Sequence, residues 1–252
     1  LFPYTTLFRS FNRDVITTAS SLNLEENASV IPLTEGEVIN FENLLYATMI
    51  TSGNDGANLI AETLAGSVEN FSVLMNQYAS SIGCTNSHFS NANGLHSDDH
   101  YTTARDLAII AREAMQDPTF QAIAATTSYS LPATNVHKRR ALKSRMAEFF
   151  GDETSDTYYE YASGIKTGYT SKAGYCFVGY AEKDGVSFVS VVLNTTSYKQ
   201  CWNDTKKLME YGFSQYIGIS IASLYRMNPK IIEIAKYDLG DKNLGRLQLN
   251  IT

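Results

Sequence analysis

Two short polar motifs in this chain carry side chains that acyl-transfer chemistry uses. Hydrolysis of an amide through an acyl-enzyme requires a nucleophile, a base, a route for the proton to the leaving amine, and donors for the oxyanion. The first motif is SGN at residues 52–54, and the second is KTG at residues 166–168, which begins 114 residues later (166 − 52). Taken singly, each is typical of a polar turn or a strand end. Their meaning therefore depends on whether the fold brings them together.

The segment between the motifs is more specific than either of them. Residues 88–115 read HFSNANGLHSDDHYTTARDLAIIAREAM. Together with SGN and KTG, which occur in this order in penicillin-recognising serine enzymes, the segment resembles the low-molecular-mass D-alanyl-D-alanine carboxypeptidases. The resemblance spans residues 11–225. It implies a bacterial, extracytoplasmic, serine-type carboxypeptidase that acts on peptidoglycan stem peptides, is acylated by β-lactam antibiotics and needs no cofactor.

The same resemblance assigns roles to the polar residues of both motifs. Ser52 would relay a proton to the departing D-alanine, since a hydroxyl both donates and accepts. Asn54 would hydrogen-bond the substrate amide or neighbouring groups of the site. Lys166 would lower the proton affinity of the relay serine and attract the terminal carboxylate of the substrate. Thr167 would offer that carboxylate a hydroxyl donor.

The end of the second motif is assigned to substrate binding by the same resemblance. Gly168 would keep an edge strand free of a side chain, so that the substrate backbone can lie along it as an added strand. The backbone N–H of Tyr169 would form one half of the oxyanion hole. The other half would come from the nucleophile.

The nucleophile itself, a serine in Ser-x-x-Lys, is not found where the resemblance requires it. The one Ser-x-x-Lys in the chain, at residues 163–166, shares its lysine with KTG and is interpreted as coincidence. In the family the nucleophile precedes the Ser-x-Asn motif by about sixty residues, which from Ser52 would lie before residue 1. We therefore expect an N-terminally truncated fragment that is itself inactive, and we interpret residues 1–10 as a cloning or sequencing remnant.

Helical periodicity and turn residues predict the elements that position these motifs. A helix from Phe41 is expected to end at Ser52, with Asp55 capping the next helix and Ser67 a third that stops at Gly83. Thr103 to Asp106 matches a capping box before the TTARDLAIIAREAM helix. Two apolar runs around residues 183–185 predict a hairpin, and residues 202–216 a last helix.

These elements predict an α+β fold with a helical cluster packed on an antiparallel sheet. The resemblance implies the same DD-peptidase and β-lactamase-like fold. We assign residues 11–220 to this domain, with short strands and a small hairpin region at its start. Residues 221–252 are expected to be the opening of a β-rich C-terminal domain.

Composition excludes some classes of function. A net charge of −6 and a pI near 5.3 argue against nucleic-acid binding, and the KRR triplet at 138–140 is interpreted as a solvated loop. Three cysteines leave the redox compartment open. No signal segment and no apolar run of about eighteen residues occurs, so membrane contact is expected only through segments outside this chain.

Three alternatives stay open at this point. His and Asp residues at 96–100 are metal-ligand types, but their spacing in a Gly-bounded loop does not favour a metal site. A class A β-lactamase usually has Asp where Gly53 stands and needs a glutamate-bearing loop, for which no candidate is found. A non-catalytic peptidoglycan-binding homologue would have little use for a proton relay.

Overall fold

The computed structural model describes residues 11–216 and 218. The described helices are α1 (Phe41–Thr51), α2 (Asn54–Ala65), α3 (Val68–Ser81), α4 (Ala104–Ala114), α5 (Pro118–Ala124), α6 (Ala147–Phe150) and α7 (Tyr198–Gln215). The described strands are β1 (Asp14–Ile16), β2 (Val38–Asn40), β3 (Ser128–Leu131), β4 (Arg140–Lys143), β5 (Ala162–Thr170), β6 (Gly174–Lys183) and β7 (Val186–Thr195). The predicted α+β fold is confirmed.

Among the described strands, β5, β6 and β7 form an antiparallel sheet in which β5, an outer strand, carries the KTG motif. β6 and β7 form the predicted hairpin, whose two-residue turn has positive φ at both Asp184 (52°) and Gly185 (76°). Such turns match the twist of the paired strands. In the β5–β6 register Gly168 lies opposite Cys176 and Tyr169 opposite Tyr175.

Each face of this sheet is covered by helices. On one face α7 and α6 contribute Trp202, Met209 and Phe149, which pack with Phe177 of β6. The ring of Phe149 meets that of Phe177 edge-on, at 5.5 Å between centroids. Burial of each such large side chain stabilises the fold by roughly 1.5–3 kcal/mol. The helical cluster on an antiparallel sheet is thus as predicted.

The opposite face of the sheet meets α4 and α5. Ile165 of β5 packs there with Ala111, Met115 and Ala124. Lys166 is the next residue of β5, so it is adjacent to a residue that is buried in this core. This packing fixes the strand from which the KTG motif projects.

A second core supports the SGN motif. It joins α1 and α2 to the two-stranded sheet of β1 and β2 through apolar side chains such as Phe41, Leu44, Leu59 and Ile39. α1 ends at Thr51 and Ser52 is its C-cap, as predicted. A small hairpin was expected near the start of the domain. Instead β1 pairs antiparallel with β2, and a long loop connects the two strands.

The predicted helix caps are mostly confirmed. The Ser67 side chain accepts from the backbone of Asn70, and that of Thr103 accepts from the backbone of Asp106. The prediction for Asp55 was wrong, since α2 begins after Gly53 and Asp55 lies within its first turn. Its carboxylate accepts instead from a distant loop, an interaction that local spacing cannot indicate.

Two expectations fall outside the described residues. The chain divides into two units, Leu1–Tyr216 and Ile217–Thr252. The interpretations of residues 1–10 as a remnant and of 221–252 as the start of a β-rich domain concern residues that are not described, and they stay predictions. None of the helices within the described residues combines the length and the apolar character that crossing a membrane requires.

Candidate active site

The turn between α1 and α2 presents Ser52. Ser52 adopts the left-handed conformation, with φ 55° and ψ 43°, and its backbone N–H donates to the carbonyl of Thr48. This conformation costs a residue with a Cβ roughly 1–3 kcal/mol and persists where neighbouring structure enforces it. The side chain of Ser52 is exposed at this corner. The turn therefore aims a hydroxyl outward from a helix end.

A loop that we call the 29–33 segment holds the turn from behind. Ile31, which is fully buried, lies so close that a Cβ on Gly53 would meet its Cγ1 at 2.6 Å. The Asp55 carboxylate accepts from the backbone N–H of Ile31 at 2.9 Å and of Leu33 at 3.1 Å. Glycine at position 53 is thus required by close approach of this segment.

Asn54 contacts the same segment. Its side-chain Nδ2 and its backbone N–H each donate to the carbonyl of Ser29 at 2.8 Å. Asn54 is nearly buried, with 9% of its surface exposed. The structure therefore places the amide nitrogen of Asn54 on the 29–33 segment, and its contact with substrate stays a prediction.

A buried ion pair anchors the 29–33 segment in turn. Arg140 of β4 pairs with the fully buried carboxylate of Glu37, and its Nη1 also donates to the carbonyls of Ile31 and Pro32 at 3.4 and 3.3 Å. The Thr134 hydroxyl donates to the same carboxylate at 3.0 Å. The interpretation of the KRR triplet as a solvated loop is therefore wrong for Arg140, since only 15% of its side chain is exposed. Its partners lie about a hundred residues away, beyond the reach of sequence patterns.

The KTG motif brings Lys166 to Ser52. The Lys166 ammonium donates to the Ser52 hydroxyl at 2.8 Å and to the carbonyl of Thr167 at 2.8 Å. Burial, and secondarily the positive charge of Arg145, lowers the pKa of Lys166 from 10.5 to about 8. Two groups 114 residues apart in sequence are thus in direct contact, with the lysine mostly protonated at neutral pH.

The rest of the motif lies along the outer side of β5. Gly168 is exposed, and a Cβ added there would meet no atom within 4 Å. Tyr169 follows, 54% exposed, with its ring 4.5 Å from that of Tyr175. Thr167 is partly buried. The face of β5 at Gly168 is therefore open, and among the described residues no strand pairs with the other edge of β5. The substrate-binding roles of Thr167, Gly168 and Tyr169 stay predictions.

Sequence reasoning did not identify Arg145. It lies between β4 and α6, and its guanidinium stands over the ring of Tyr198 at 4.7 Å. Its charge acts on Lys166, so it belongs to the surroundings of the KTG motif. The signal in the sequence is a single arginine after Ser144, with no motif around it.

The serine and lysine of the Ser-x-x-Lys at residues 163–166 are not arranged as a nucleophile and its base. A serine and a lysine three residues apart share a face when they lie on a helix. Ser163 and Lys166 lie on strand β5, and the lysine contacts Ser52 instead. This geometry agrees with the interpretation of the spacing as coincidence.

The histidine-rich loop has hydrogen bonds of its own. His88 Nδ1 lies 2.6 Å from the carbonyl of Asp99, and His96 lies 3.3 Å from the carboxylate of Asp98. Burial lowers the pKa of His100, whose Nδ1 accepts from the backbone of Ser90 at 3.3 Å. In residues 11–216 and 218, no group of three or more His, Cys, Asp or Glu side chains is arranged to hold a metal ion.

This arrangement can move a proton and hold an anion. A hydroxyl in contact with an ammonium has a lowered proton affinity and can pass a proton between two partners. The ammonium adds a positive charge beside an open strand edge, where an extended peptide can pair. Both capabilities suit the cleavage of a peptide that ends in a carboxylate.

Comparisons with known proteins point to one family. Residues 10–197 match the sequence profile of Peptidase S11, described as D-alanyl-D-alanine carboxypeptidase. The chain is 31% identical over 208 residues to D-alanyl-D-alanine carboxypeptidase DacF of Bacillus subtilis, which covers 82% of this chain and 50% of that protein. It is 32% identical over 185 residues to D-alanyl-D-alanine carboxypeptidase of Streptomyces sp. strain K15, covering 71% of this chain and 62% of that one. The chain thus spans half to three-fifths of the length of these relatives.

A solved structure shows the same fold. The crystal structure of the Streptomyces K15 DD-transpeptidase superposes with a TM-score of 0.72 at 29% identity, over 81% of this chain and 80% of that chain. The profile match covers more than half of the 252 residues. The chain therefore belongs to the D-alanyl-D-alanine carboxypeptidase family, Peptidase S11.

Proposed function

We propose that the natural protein is a serine-type D-alanyl-D-alanine carboxypeptidase. It removes the terminal D-alanine from peptidoglycan stem pentapeptides through an acyl-enzyme, outside the cytoplasm of a bacterium, and β-lactams acylate the same site. The substrate class comes from the family to which the chain belongs and from the names of its relatives. The residues of this chain account for proton relay, carboxylate attraction and one oxyanion donor.

The contact between Lys166 and Ser52 carries the proposal. At 2.8 Å the ammonium lowers the proton affinity of the serine hydroxyl. A hydroxyl so placed can accept a proton from the nucleophile side of the cleft and donate it to the departing D-alanine. A side chain used only for binding peptide would not need this pairing.

The open edge at Gly168 supports the substrate geometry. An extended peptide pairs with the free side of β5, and the missing Cβ of Gly168 leaves room for its backbone. Lys166 and Thr167 then lie beside the terminal carboxylate. The Tyr169 backbone N–H donates to the developing oxyanion.

Gly53 separates this proposal from a class A β-lactamase. Such an enzyme usually has aspartate here. In this chain a Cβ would meet Ile31 Cγ1 at 2.6 Å and the Asp55 carboxylate at 2.9 Å, so an aspartate would add both a clash and a like charge. The packing behind the turn therefore favours the peptidase.

Substitution of Lys166 tests the proposal. In the purified natural protein we expect Lys166→Met to lower the rates of acylation by fluorescent penicillin and of D-alanine release by about 10²–10⁴-fold, as does Ser52→Ala. Lys172→Met is the matched control, because Lys172 is an exposed lysine of the β5–β6 turn. If Lys166→Met shows the same rates of acylation and D-alanine release as Lys172→Met, the proposed role of Lys166 in the proton relay is wrong. A natural protein that binds the pentapeptide without releasing D-alanine or forming an adduct is a non-catalytic homologue instead.

The 252-residue chain on its own gives a separate test. Its one Ser-x-x-Lys lies on a strand and shares Lys166 with the KTG motif. We therefore expect no covalent adduct with fluorescent penicillin on a denaturing gel. A stable adduct whose mass maps to Ser163 or Ser52 would contradict the assignment of these serines.

A further inference from the structure

Two glycines at the start of α2 meet the same buried side chain. A Cβ added to Gly53 would lie 2.6 Å from Cγ1 of Ile31, and one added to Gly56 would lie 2.5 Å from its Cδ1. Residues three apart share one face of a helix turn, so the two glycines leave one continuous gap. Ile31 is fully buried. Its side chain therefore fills the space that the two missing Cβ atoms leave next to Ser52.

Packing, and not backbone conformation, explains the glycine at position 56. Glycine is less favourable than alanine within a helix, because it loses more backbone freedom on folding. Gly56 is not among the glycines with positive φ, so its conformation is open to other residues. A Cβ there would meet Ile31, and it would also lie 2.2 Å from the hydroxyl of Thr48. The close approach of these two side chains is what excludes a larger residue.

The backbone of Ile31 is held on both sides. Its N–H donates to the two carboxylate oxygens of Asp55 at 2.9 and 3.1 Å, and its carbonyl accepts from Arg140 Nη1 at 3.4 Å. Asp55 is itself 1% exposed. A β-branched side chain such as isoleucine has few rotamers, so a fixed backbone also fixes the direction of the side chain. Ile31 cannot move away from the turn without breaking contacts to buried charged groups.

The orientation of the Ser52 hydroxyl depends on this packing. Ser52 has a φ of 55°, a conformation that persists where neighbouring structure enforces it. Among the residues that the structure describes, Lys166 is the one hydrogen-bond partner of the hydroxyl, at 2.8 Å. No bond from this side chain to its own helix end is therefore seen in that part of the chain, and the direction of the hydroxyl follows from the position of the backbone.

We infer that Ile31 is a positioning residue for the proton relay, and that its side chain, packed between Gly53 and Gly56, sets the distance from the Ser52 hydroxyl to the Lys166 ammonium. The inference rests on the proposed peptidase function. A displacement of about 1 Å in an active site can lower a rate by about 10²-fold. Because Ile31 is fully buried and does not line the open face of β5, it acts on the rate of the reaction and not on the binding of the substrate.

Truncation of Ile31 measures this role in the purified natural protein. The substrate is diacetyl-L-lysyl-D-alanyl-D-alanine. We expect Ile31→Ala to lower kcat for D-alanine release by about ten- to a hundredfold, while KM changes by less than about twofold. A residue that served stability alone would leave kcat of the folded protein unchanged, which would overturn the inference.

Leu33→Ala is the matched control for that experiment. Leu33 belongs to the 29–33 segment and to the same buried core, and its N–H also binds Asp55. Its side chain, however, is not among the nearest atoms to either Gly53 or Gly56. Both variants remove core packing, so both should unfold more easily. We expect kcat of Leu33→Ala to stay within about twofold of the natural value, and an equal fall in both variants would overturn the inference.

A second substitution tests the contact itself. In the natural protein Gly53→Ala adds a methyl group against Ile31 and should lower kcat. In Ile31→Ala the same methyl group enters the space that was vacated, so Gly53→Ala should raise kcat there by about fivefold or more. Opposite effects of one substitution in the two backgrounds show coupling between neighbours. Effects that simply multiply would overturn the inference.

Ile31→Val provides the same cycle if Ile31→Ala does not fold. Valine lacks the Cδ1 that approaches Gly56, so Gly56→Ala takes the place of Gly53→Ala. Gly56→Ala should lower kcat in the natural protein and raise it in Ile31→Val. The same outcomes decide, and multiplying effects would again count against the inference.

Crystal structures keep the inference distinct from the function. If the natural protein neither releases D-alanine nor reacts with penicillin, the proposed function fails. Structures of the natural protein and of the folded Ile31 variant then decide the role of Ile31. A distance from Ser52 Oγ to Lys166 Nζ that lengthens beyond about 3.5 Å in the variant would support the inference. An unchanged distance would overturn it.

Discussion

Ser52 and Lys166 meet at 2.8 Å, but the segments that carry them are held in different ways. The Ser52 turn is enclosed from behind by the 29–33 segment, with Asp55 binding its backbone N–H groups and Arg140 binding its carbonyls. The KTG motif lies on an outer strand of the sheet, and Gly168 faces open space. One half of the site is fixed by buried polar contacts, and the other is left accessible.

This difference follows from what each half must do. A proton relay works over a hydrogen-bond distance, so the hydroxyl must be held within a few tenths of an ångström. A strand edge that receives a peptide must keep its backbone groups free. We therefore expect substitutions behind Ser52 to act on stability, and substitutions along β5 to act on substrate.

Breaking the buried ion pair should give the largest effect on stability. Arg140→Met leaves the fully buried Glu37 carboxylate without its main partner, and we expect a loss of about 3–5 kcal/mol in the free energy of unfolding. Urea denaturation of the natural protein measures it. The double variant Glu37→Gln/Arg140→Met should recover part of the loss, because no buried charge is left unpaired.

An exposed ion pair supplies the control for that experiment. Lys199 and Asp156 are paired on the surface, with 61% and 71% of their side chains exposed. Solvent screens such a pair, so Lys199→Met should cost less than about 1 kcal/mol. Equal losses for Arg140→Met and Lys199→Met would mean that the 29–33 segment is not held by Glu37 and Arg140.

The next effect in size concerns Gly53. A Cβ at this position meets Ile31, which is buried and cannot move aside without cost. We expect Gly53→Ala to destabilise the natural protein by about 1–3 kcal/mol, through overpacking. Gly53→Asp should cost more, because it adds a carboxylate next to that of Asp55. A stable Gly53→Asp variant would remove the structural argument against a β-lactamase-like turn.

Local patterns in the sequence were sufficient for the elements, whereas the main pair of the site was predicted from the resemblance to a family. The end of α1 at Ser52, the Thr103 cap and the hairpin at 184–185 all depend on residues close in sequence. The pairing of Ser52 with Lys166 was reached through the order of two motifs and the segment between them.

The surroundings of the site could not be predicted in the same way. Arg140 contacts Glu37 across 103 residues, and Asp55 reaches Ile31 across 24. Asp55 therefore looked like a helix cap, and Arg140 like part of a solvated triplet. No local pattern marks Arg145, because its role depends on contacts with residues distant in sequence, namely Tyr198 and Lys166. Only the packed chain brings such groups together.

The charge of Lys166 should give opposite pH trends for function and stability. Its folded pKa of about 8 lies below the ordinary value of 10.5. Between these values the unfolded chain binds a proton that the folded chain has released, so stability rises with pH in this window. The ammonium is lost over the same window, so acylation by penicillin should fall about tenfold per pH unit well above pH 8.

Comparison with Lys166→Met isolates both trends. The difference in unfolding free energy between the natural protein and this variant should change in favour of the natural protein from pH 8 to pH 10. Stability profiles that run parallel for the two proteins would show that Lys166 is not desolvated in the folded state. A wild-type acylation rate that stays constant to pH 10 would show that its charge is not used.

The smallest effect on stability is expected at Gly168. Because a Cβ there meets no atom within 4 Å, Gly168→Ala should change the free energy of unfolding by no more than about 0.5 kcal/mol. Function should respond differently, since each added group enters the open space through which a substrate backbone would reach β5. We expect kcat/KM for D-alanine release to fall in Gly168→Ala and further in Gly168→Val, by about tenfold if one backbone hydrogen bond is lost. Gly185→Ala is the matched control for a glycine with open space around it, although its φ of 76° adds strain. If Gly168→Val cleaves substrate at the natural rate, the peptide does not lie along β5, and the open edge has no role in binding it.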